Sequence, residues 1–498
     1  MIATCLFFSD QEKKAKGKQG DDSGRYFRAR ALRERGEGQG SAGEPSVPGG
    51  RAALRLPRVL ARAVGERARV HVRELLREVR RGGLCACGTS RHASNGTREV
   101  ISMEGTRFCA WTRARWGRGR KEGLSKCGKC KKAFYCNVEC QRSDWAMHKL
   151  ECSAMCSFGE SWCPSETVRL VARILNRMKV QKETSTSEKL LLLKDLEANL
   201  DKLDNEKREM NEADIAELHH FYSKHLDFPD HQALLNLFAQ VHCNGFTVED
   251  EELSHVGSAL FPDVALMNHS CCPNVIVTYR GTSAEVRAVK DIRQGDEIYT
   301  SYIDLLYPTE DRMERLRDSY HFTCDCKECK TKSKDKVKLK LRKVGGEEPR
   351  SEEIREMLRY ARNAIEDFRR AKQEKTPAEL LEICELSMDK MSSMFEDSNV
   401  YMLHMMYQAM GVCMYMEDYD GAVSYGEKVI KPFRQLYPAY SLNVASMYLK
   451  LGRLYTAQDR PSAGSTALKK ALAIMEVVHG KDHVYVTELK KEIGIHQK

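Results

Sequence analysis

Six metal-ligand residues fall in one short stretch of this chain, in the order Cys127-x2-Cys130-x5-Cys136-x3-Cys140-x7-His148-x3-Cys152. Spacings this short suit a tetrahedral ion, whose ligands must converge within a few ångströms; a disulfide framework would scatter its cysteines instead. Cys136 and Cys140 are four apart, as are His148 and Cys152, so on helices each pair shares a face and can grip one ion. A compact metal module is expected from Lys121 to Cys152. A second cluster, Cys324-x-Cys326-x2-Cys329, offers three thiolates and calls for a fourth. The chain has 19 cysteines in all, and these spacings point to zinc in a reducing compartment.

With 498 residues, 42% hydrophobic and 31% charged, the chain has room for two to four domains of about 100 to 200 residues each. Its net charge of +10 is unevenly spread. Residues 1 to 120 hold 26 Lys and Arg against 12 Asp and Glu, which leaves 55 against 59 in the rest. The body is thus slightly acidic, and direct nucleic-acid binding, which rests on charge alone, ranks last among its functions. The first 120 residues are rich in Arg, Gly and Ala, with Gly, Ser and Pro clustered from Ser41 to Gly50, and read as disordered. Within them Ala52 to Arg81 is expected to form at most a surface helix, since Glu66, Glu74 and Glu78 spoil a mitochondrial presequence. No apolar run is long enough for a membrane span, and Met1 to Phe8 lacks the charged start of a signal peptide. The expected location is cytosol and nucleus, with no membrane partner.

Periodicity predicts helices over Glu166 to Lys179, Ser187 to Leu203 and Glu212 to His225. It predicts a hairpin pairing Val275 to Tyr279 with Ala284 to Val289 around Gly281. The acidic run Glu249 to Glu252 is expected to face water, with attraction of a basic substrate tail as the alternative. Lys330 to Arg350 reads as a solvated linker. From Glu352 onward the pattern is helical and repeats: Gly411 precedes Ala422 by eleven residues and Gly452 precedes Ala463 by the same interval. Small residues at matched places let paired helices approach closely, in a plain bundle or in a stacked array with a peptide groove.

The remaining signature is Asn268-His269-Ser270-Cys271-Cys272-Pro273-Asn274, followed by Gly295-Asp296-Glu297-Ile298-Tyr299-Thr300-Ser301-Tyr302. An Asn-His pair alone is usually a turn, and a lone Tyr is usually core; Asn268-His269-Ser270 also matches a glycosylation acceptor, which means nothing in the cytosol. Taken with Cys324, Cys326 and Cys329, these residues resemble the SET domain of protein lysine methyltransferases. With the zinc-ligand series upstream, the chain resembles the SET-and-MYND family from about Lys121 to its C-terminus.

That resemblance implies an α+β multidomain fold. A non-family segment, 1 to 120, would precede a MYND zinc finger over 121 to 152, a helical insert over 153 to 245 and a β-rich SET core over 246 to 307. A post-SET zinc segment and linker, 308 to 345, and a tetratricopeptide-like helical domain, 346 to 498, would follow. It implies S-adenosylmethionine-dependent N-methylation of lysines in histone tails and non-histone proteins. Asn268 and His269 would hold the cofactor, Tyr302 would stand at the methyl-transfer centre, and Tyr320 and Phe322 would cover the adenine and the lysine channel. Asn199 would touch the cofactor's amino-acid end. In the finger, Cys127, Cys130, His148 and Cys152 would share one zinc. Cys136 and Cys140 would share another with a Cys-x2-Cys pair that is missing here, unless Cys109 with Cys85 or Cys87 replaces it. Cys271 would join Cys324, Cys326 and Cys329 at a third zinc, leaving Cys272 a small buried residue and Cys243 at most part of the core. The implied partners are lysine-bearing proteins, proline-rich segments and the heat-shock protein 90 chaperone, with the chain a monomer. A non-catalytic interaction protein is the competing reading.

Methyl transfer needs the lysine as a neutral amine, although its reference pKa of about 10.4 keeps it an ammonium in water. A narrow channel of tyrosine rings disfavours the charged form and orients the amine. One family feature is not found. A Gly-x-Gly-x-Gly-Leu segment should form the other half of the cofactor pocket, yet residues 1 to 120 contain none, and Gly117-Arg118-Gly119 abuts the zinc module and lacks a following hydrophobic strand. An exposed sheet edge and weakened cofactor affinity are therefore expected.

Overall fold

The spacing of Cys127 and Cys130 forces a tight knuckle at the start of the described chain. In the computed structural model, which describes residues 124–180, 193–343 and 349–495, β1 (Ser125–Lys126) and β2 (Phe134–Tyr135) pair antiparallel around it. The Cys127 amide donates to the Ala133 carbonyl at 2.8 Å, and Lys131 turns through a positive φ of 59°. The expectations placed on residues 1 to 120, among them the helix over 52 to 81 and the thiols Cys85, Cys87 and Cys109, lie outside the described residues.

Asn137 starts α1 (Val138–Phe158) by accepting from the Cys140 amide at 2.8 Å, the usual satisfaction of an orphan N–H by a capping side chain. Only Cys140 of the Cys136–Cys140 pair is therefore helical, which corrects the expectation of two helical pairs: the cap falls between the two cysteines. His148 and Cys152 do share a face of α1, one turn apart. That helix packs its Ala154 and Met155 against α2 (Glu166–Val180), α3 (Asn205–Tyr222) and α4 (His231–Asn244), around a core that includes Val168, Val171, Leu218 and Phe238. Buried in the same core is Glu151, whose carboxylate accepts from Arg169 Nε at 2.8 Å, from Arg173 Nη2 at 2.6 Å and from the Tyr222 hydroxyl at 3.2 Å.

The helix expected over 187 to 203 is not there in its described part. From Leu193 the chain makes two single 3-10 turns, Leu193–Asp195 and Leu200–Lys202, and Asn199 between them is left-handed with φ 50°. Side chains of α4 explain this: Gln240 Nε2 donates to the Leu193 and Leu196 carbonyls at 2.7 and 2.8 Å, and Asn244 Nδ2 to that of Glu197 at 2.8 Å. Carbonyls captured from the side have no need of helical partners.

Beyond α4, β3 (Phe246–Glu249) and β4 (His255–Ala259) pair antiparallel, and α5 (Pro262–Ala265) leads to β5 (Asn268–His269). The predicted hairpin forms as β6 (Val275–Arg280) and β7 (Ser283–Ala288), with Gly281 at φ 58° in its turn, where a side chain would be strained. β8 (Tyr299–Thr300) then returns to lie parallel to β5, setting Asn268 opposite Tyr299 and His269 opposite Thr300. Two distant signatures thus become one ladder.

After β8 come α6 (Thr309–Tyr320), α7 (Lys327–Thr331) and α8 (Asp335–Lys338). The supposed solvated linker is docked over its described start: Lys338 is buried and donates to the Leu305 and Tyr307 carbonyls, each at 2.8 Å. The rest of the chain is the expected helical array, α9 (Ser351–Glu374), α10 (Pro377–Ser392), α11 (Val400–Tyr415), α12 (Tyr419–Leu436), α13 (Leu442–Ala457), α14 (Pro461–Val478) and α15 (Val484–Ile495). Gly452 shows why the repeat needs small residues, since a Cβ there would sit 2.6 Å from Leu468 of the next helix. The acidic run does not face water. Asp250 is buried and Glu252 is gripped by α13, with Ser446 Oγ and Lys450 Nζ donating to its carbonyl at 2.8 and 3.1 Å and Arg453 pairing its carboxylate. Asp250 and Glu252 are thus tied into the fold rather than held out to a basic tail.

Candidate active site and metal centres

Cys127, Cys130, His148 and Cys152 bring their ligand atoms within 4.8 Å of one another, all four buried. The knuckle supplies the first pair and one turn of α1 the second, with Cys130 Sγ 3.5 Å from His148 Nε2 and Cys127 Sγ 3.8 Å from Cys152 Sγ. Burial pushes the Cys127 thiol up, but hydrogen bonds from the Cys130 backbone and the His148 ring outweigh it and bring the thiol down to about 6. A thiol so inclined to ionise suits a metal ligand. Cys136 and Cys140 join no group of three or more ligands among the described residues.

Cys271, Cys324, Cys326 and Cys329 form a second group of the same tightness. Hydrogen bonds from Cys271 and Cys329 hold the Cys324 thiol far below its ordinary range. The guanidinium of Arg312, on α6 and fully buried, donates from Nε to Cys271 Sγ at 3.3 Å and from Nη2 to Cys329 Sγ at 3.6 Å. A cation set against two of the four sulfurs offsets part of the excess negative charge that four thiolates place on a divalent ion. Cys272 stays outside the group, half-buried with its sulfur 3.9 Å from that of Cys326.

One residue joins this clamp to the aromatic site. The Tyr302 backbone N–H donates to His269 Nδ1 at 3.0 Å, so that nitrogen carries no proton, and Nε2 is left to donate to Cys271 Sγ at 3.3 Å. The buried His269 ring lies 5.3 Å from that of Tyr302 and 5.9 Å from that of Phe322. Tyr302 in turn meets Tyr320 at 5.0 Å and Phe322 edge-on at 6.3 Å, and its hydroxyl donates to the Met267 carbonyl at 2.5 Å. Burial pushes the Tyr302 and Tyr320 phenols up to about 12 each, with the neighbouring Cys243 adding to both. They remain hydrogen-bond donors at neutral pH.

Asn268 projects to the exposed side of β5 and donates to Glu297 at 2.6 Å. Asn199 donates from Nδ2 to Cys243 Sγ at 3.5 Å, and so reaches the tyrosines through a thiol assigned no part beforehand. The structure brings the rings of His269, Tyr302, Tyr320 and Phe322 together, whereas Asn268, beside His269 on β5, turns its side chain to Glu297 and Asn199 meets Cys243. Sequence reasoning missed Arg312, Glu297, Cys243 and the Met267 carbonyl. Glu297 stands inside the second quoted signature and Met267 just before the first, but nothing in the residue pattern marks an arginine that will face sulfur.

A finger with one complete Cys3His group, followed by the parallel β5–β8 ladder and a four-cysteine clamp, defines a SET-domain protein that carries a MYND finger. The MYND finger family matches residues 109–152, and the SET domain family matches residues 159–303. The chain is 73% identical over 374 residues to N-lysine methyltransferase SMYD2-B of Danio rerio, covering 75% of this chain and 86% of that protein. It is 70% identical over 377 residues to N-lysine methyltransferase SMYD2 of Homo sapiens, covering 76% and 87%, and equally identical to that of Gallus gallus. It belongs to the SMYD family of SET- and MYND-domain lysine methyltransferases. Its cofactors are accordingly S-adenosylmethionine and zinc. The residues present fit both. Three thiolates with one imidazole in the finger, and four thiolates in the clamp, are the donor sets of closed structural zinc sites, and the ring faces around Tyr302 suit a sulfonium cation.

Proposed function

We propose that this lysine methyltransferase modifies lysines of both histone and non-histone proteins, with Tyr302 at the transfer centre. When bound, S-adenosylmethionine would supply an electrophilic methyl group whose leaving group is a neutral thioether. The protein's part is to hold, orient and desolvate. Asn268 and His269 hold the cofactor along β5, Asn199 steadies its amino-acid end, and Tyr320 and Phe322 cover it. The rings of Tyr302, Tyr320 and Phe322 wall the channel in which the lysine sheds its proton to solvent before its lone pair attacks. The four-cysteine clamp carries zinc and keeps Tyr320 and Phe322, which lie just before Cys324, against the SET core. The finger holds zinc at Cys127, Cys130, His148 and Cys152.

The observation that carries this reading is the convergence of Tyr302, Tyr320 and Phe322 on the strand that presents Asn268, with the Tyr302 hydroxyl anchored on Met267. We place the protein in cytosol and nucleus, acting as a monomer. Proline-rich segments are the finger's partners, and chaperones such as heat-shock protein 90 those of the helical array. We also propose that cofactor affinity is lowered in this form, because residues 1 to 120 contain no Gly-x-Gly-x-Gly-Leu segment. Radiolabelled methyl transfer to histone and peptide substrates tests the function, run beside a version given that segment. Faster transfer with the segment supports the whole reading; equal rates remove the claim of impairment; no transfer by either, with no cofactor uptake, favours a non-catalytic interaction module.

A further inference from the structure

Asn268 is one corner of a closed hydrogen-bond network. Its Nδ2 donates to Glu297 Oε1 at 2.6 Å, while Glu297 Oε2 accepts from the Tyr299 hydroxyl at 2.7 Å. Asn274 braces the same strand from behind, its Nδ2 donating to the Glu297 carbonyl at 2.9 Å and its Oδ1 accepting from the Tyr299 amide at 2.8 Å. The parallel register of β5 and β8 sets Asn268 directly opposite Tyr299, so backbone pairing fixes where the carboxylate meets the amide.

The chemistry of that contact decides which way the amide points. An ionised carboxylate only accepts, so Asn268 must turn its NH2 toward Glu297 and its carbonyl Oδ1 to the other side. Without Glu297 the two orientations of an exposed amide would be close in energy. The Tyr299 hydroxyl occupies the second carboxylate oxygen and keeps Glu297 from swinging away.

We propose that Glu297 is a positioning residue for the cofactor: it locks the Asn268 amide so that Oδ1 is presented, as acceptor, to the N–H donors at the cofactor's amino-acid end. This rests on the cofactor-holding role proposed for Asn268. Glu297 acts through Asn268 and through the correct rotamer, and Tyr299 acts through Glu297.

The test is calorimetric titration of the full chain and its variants with S-adenosylhomocysteine, which needs no turnover. Glu297→Ala is expected to weaken binding about tenfold, the usual scale of a charge-assisted hydrogen bond. Glu297→Gln, which keeps an acceptor but loses its exclusiveness, recovers part of that loss, and Tyr299→Phe costs about threefold. In an Asn268→Ala background Glu297→Ala adds nothing, and in steady state its effect falls on the cofactor KM more heavily than on kcat. Zinc content of each variant, matched to the parent, shows that the fold survives. If Glu297→Ala and Glu297→Gln bind like the parent while Asn268→Ala does not, the proposal is overturned and the role of Asn268 stands. A loss from Glu297→Ala that persists in the Asn268→Ala background overturns it as well. If Asn268→Ala binds like the parent, or the parent takes up no ligand, the underlying cofactor reading fails.

Discussion

The Tyr302 hydroxyl donates to the backbone carbonyl of Met267 across 2.5 Å, tying the last residue of one signature to the residue that precedes the other. Tyr302→Phe removes only that hydroxyl and keeps the ring against Tyr320 and Phe322. Turnover is expected to fall about a hundredfold, the scale on which one preorganised donor acts. Affinity for S-adenosylhomocysteine should stay within about threefold, because the wall itself is intact. Single-turnover methylation beside calorimetry separates the two, and equal losses in both would remove Tyr302 from the transfer centre.

The pH profile follows from which group must lose a proton. The Tyr302 and Tyr320 phenols, pushed up to about 12 by burial, stay protonated from pH 6 to 9 and contribute no limb. The substrate ammonium, with a reference value of about 10.4, is the group that must ionise. The rate at low substrate concentration should rise about tenfold per pH unit between pH 6 and 8, measured with a peptide bearing one lysine. A plateau through that range would show that deprotonation is not required before transfer.

Two complete ligand groups predict two zinc ions that can be removed separately. Cys127→Ser should lower the metal content by one ion and change cofactor affinity less than tenfold. Cys271→Ser should also lower it by one, and weaken cofactor binding more than tenfold, because His269 Nε2 donates to that sulfur and its other nitrogen holds Tyr302. Native mass spectrometry counts the ions. Cys136→Ser lowers the count only if residues before 124 complete a third site.

Glu151 predicts an acid sensitivity remote from the chemistry. Burial alone would raise its pKa, but the guanidiniums of Arg169 and Arg173 reverse that and hold the carboxyl well below the ordinary range. A depressed carboxyl contributes its stability fully above the unfolded value of about 4.3, and loses it as pH falls through the folded one. Glu151→Gln leaves the buried Arg169 and the partly exposed Arg173 guanidiniums without a counter-charge and should cost about 3 kcal/mol at pH 7. The deficit should shrink as pH falls below about 4. Denaturant unfolding followed at both pH values checks the sign.

How far the sequence could be read depended on whether a constraint was local. Cys127, Cys130, His148 and Cys152 were legible because metal chemistry imposes spacing, and the hairpin around Gly281 because alternation and a turn residue lie side by side. The helix over 187 to 203 failed because the competing partners, Gln240 and Asn244, sit on α4, far along the chain. Lys338 and Glu252 read as solvated because charge is a surface signal until a tertiary partner appears, here two carbonyls and the α13 face. The site divides in the same way: Asn268, His269, Tyr302 and the cysteines stand in motifs, Arg312 and Cys243 gain their meaning from packing, and Glu297, though inside a motif, gains its own only from the contact with Asn268.

Tyr320 and Phe322 lie inside the loop that the Cys271 to Cys329 clamp closes. During synthesis the SET strands emerge first, yet the clamp over them cannot close until Cys329 has cleared the ribosome. The nascent chain therefore passes through an interval in which β5 and β8 are made but the Tyr302 ring beside them is still without its Tyr320 and Phe322 cover, open to whatever chaperone waits at the tunnel exit.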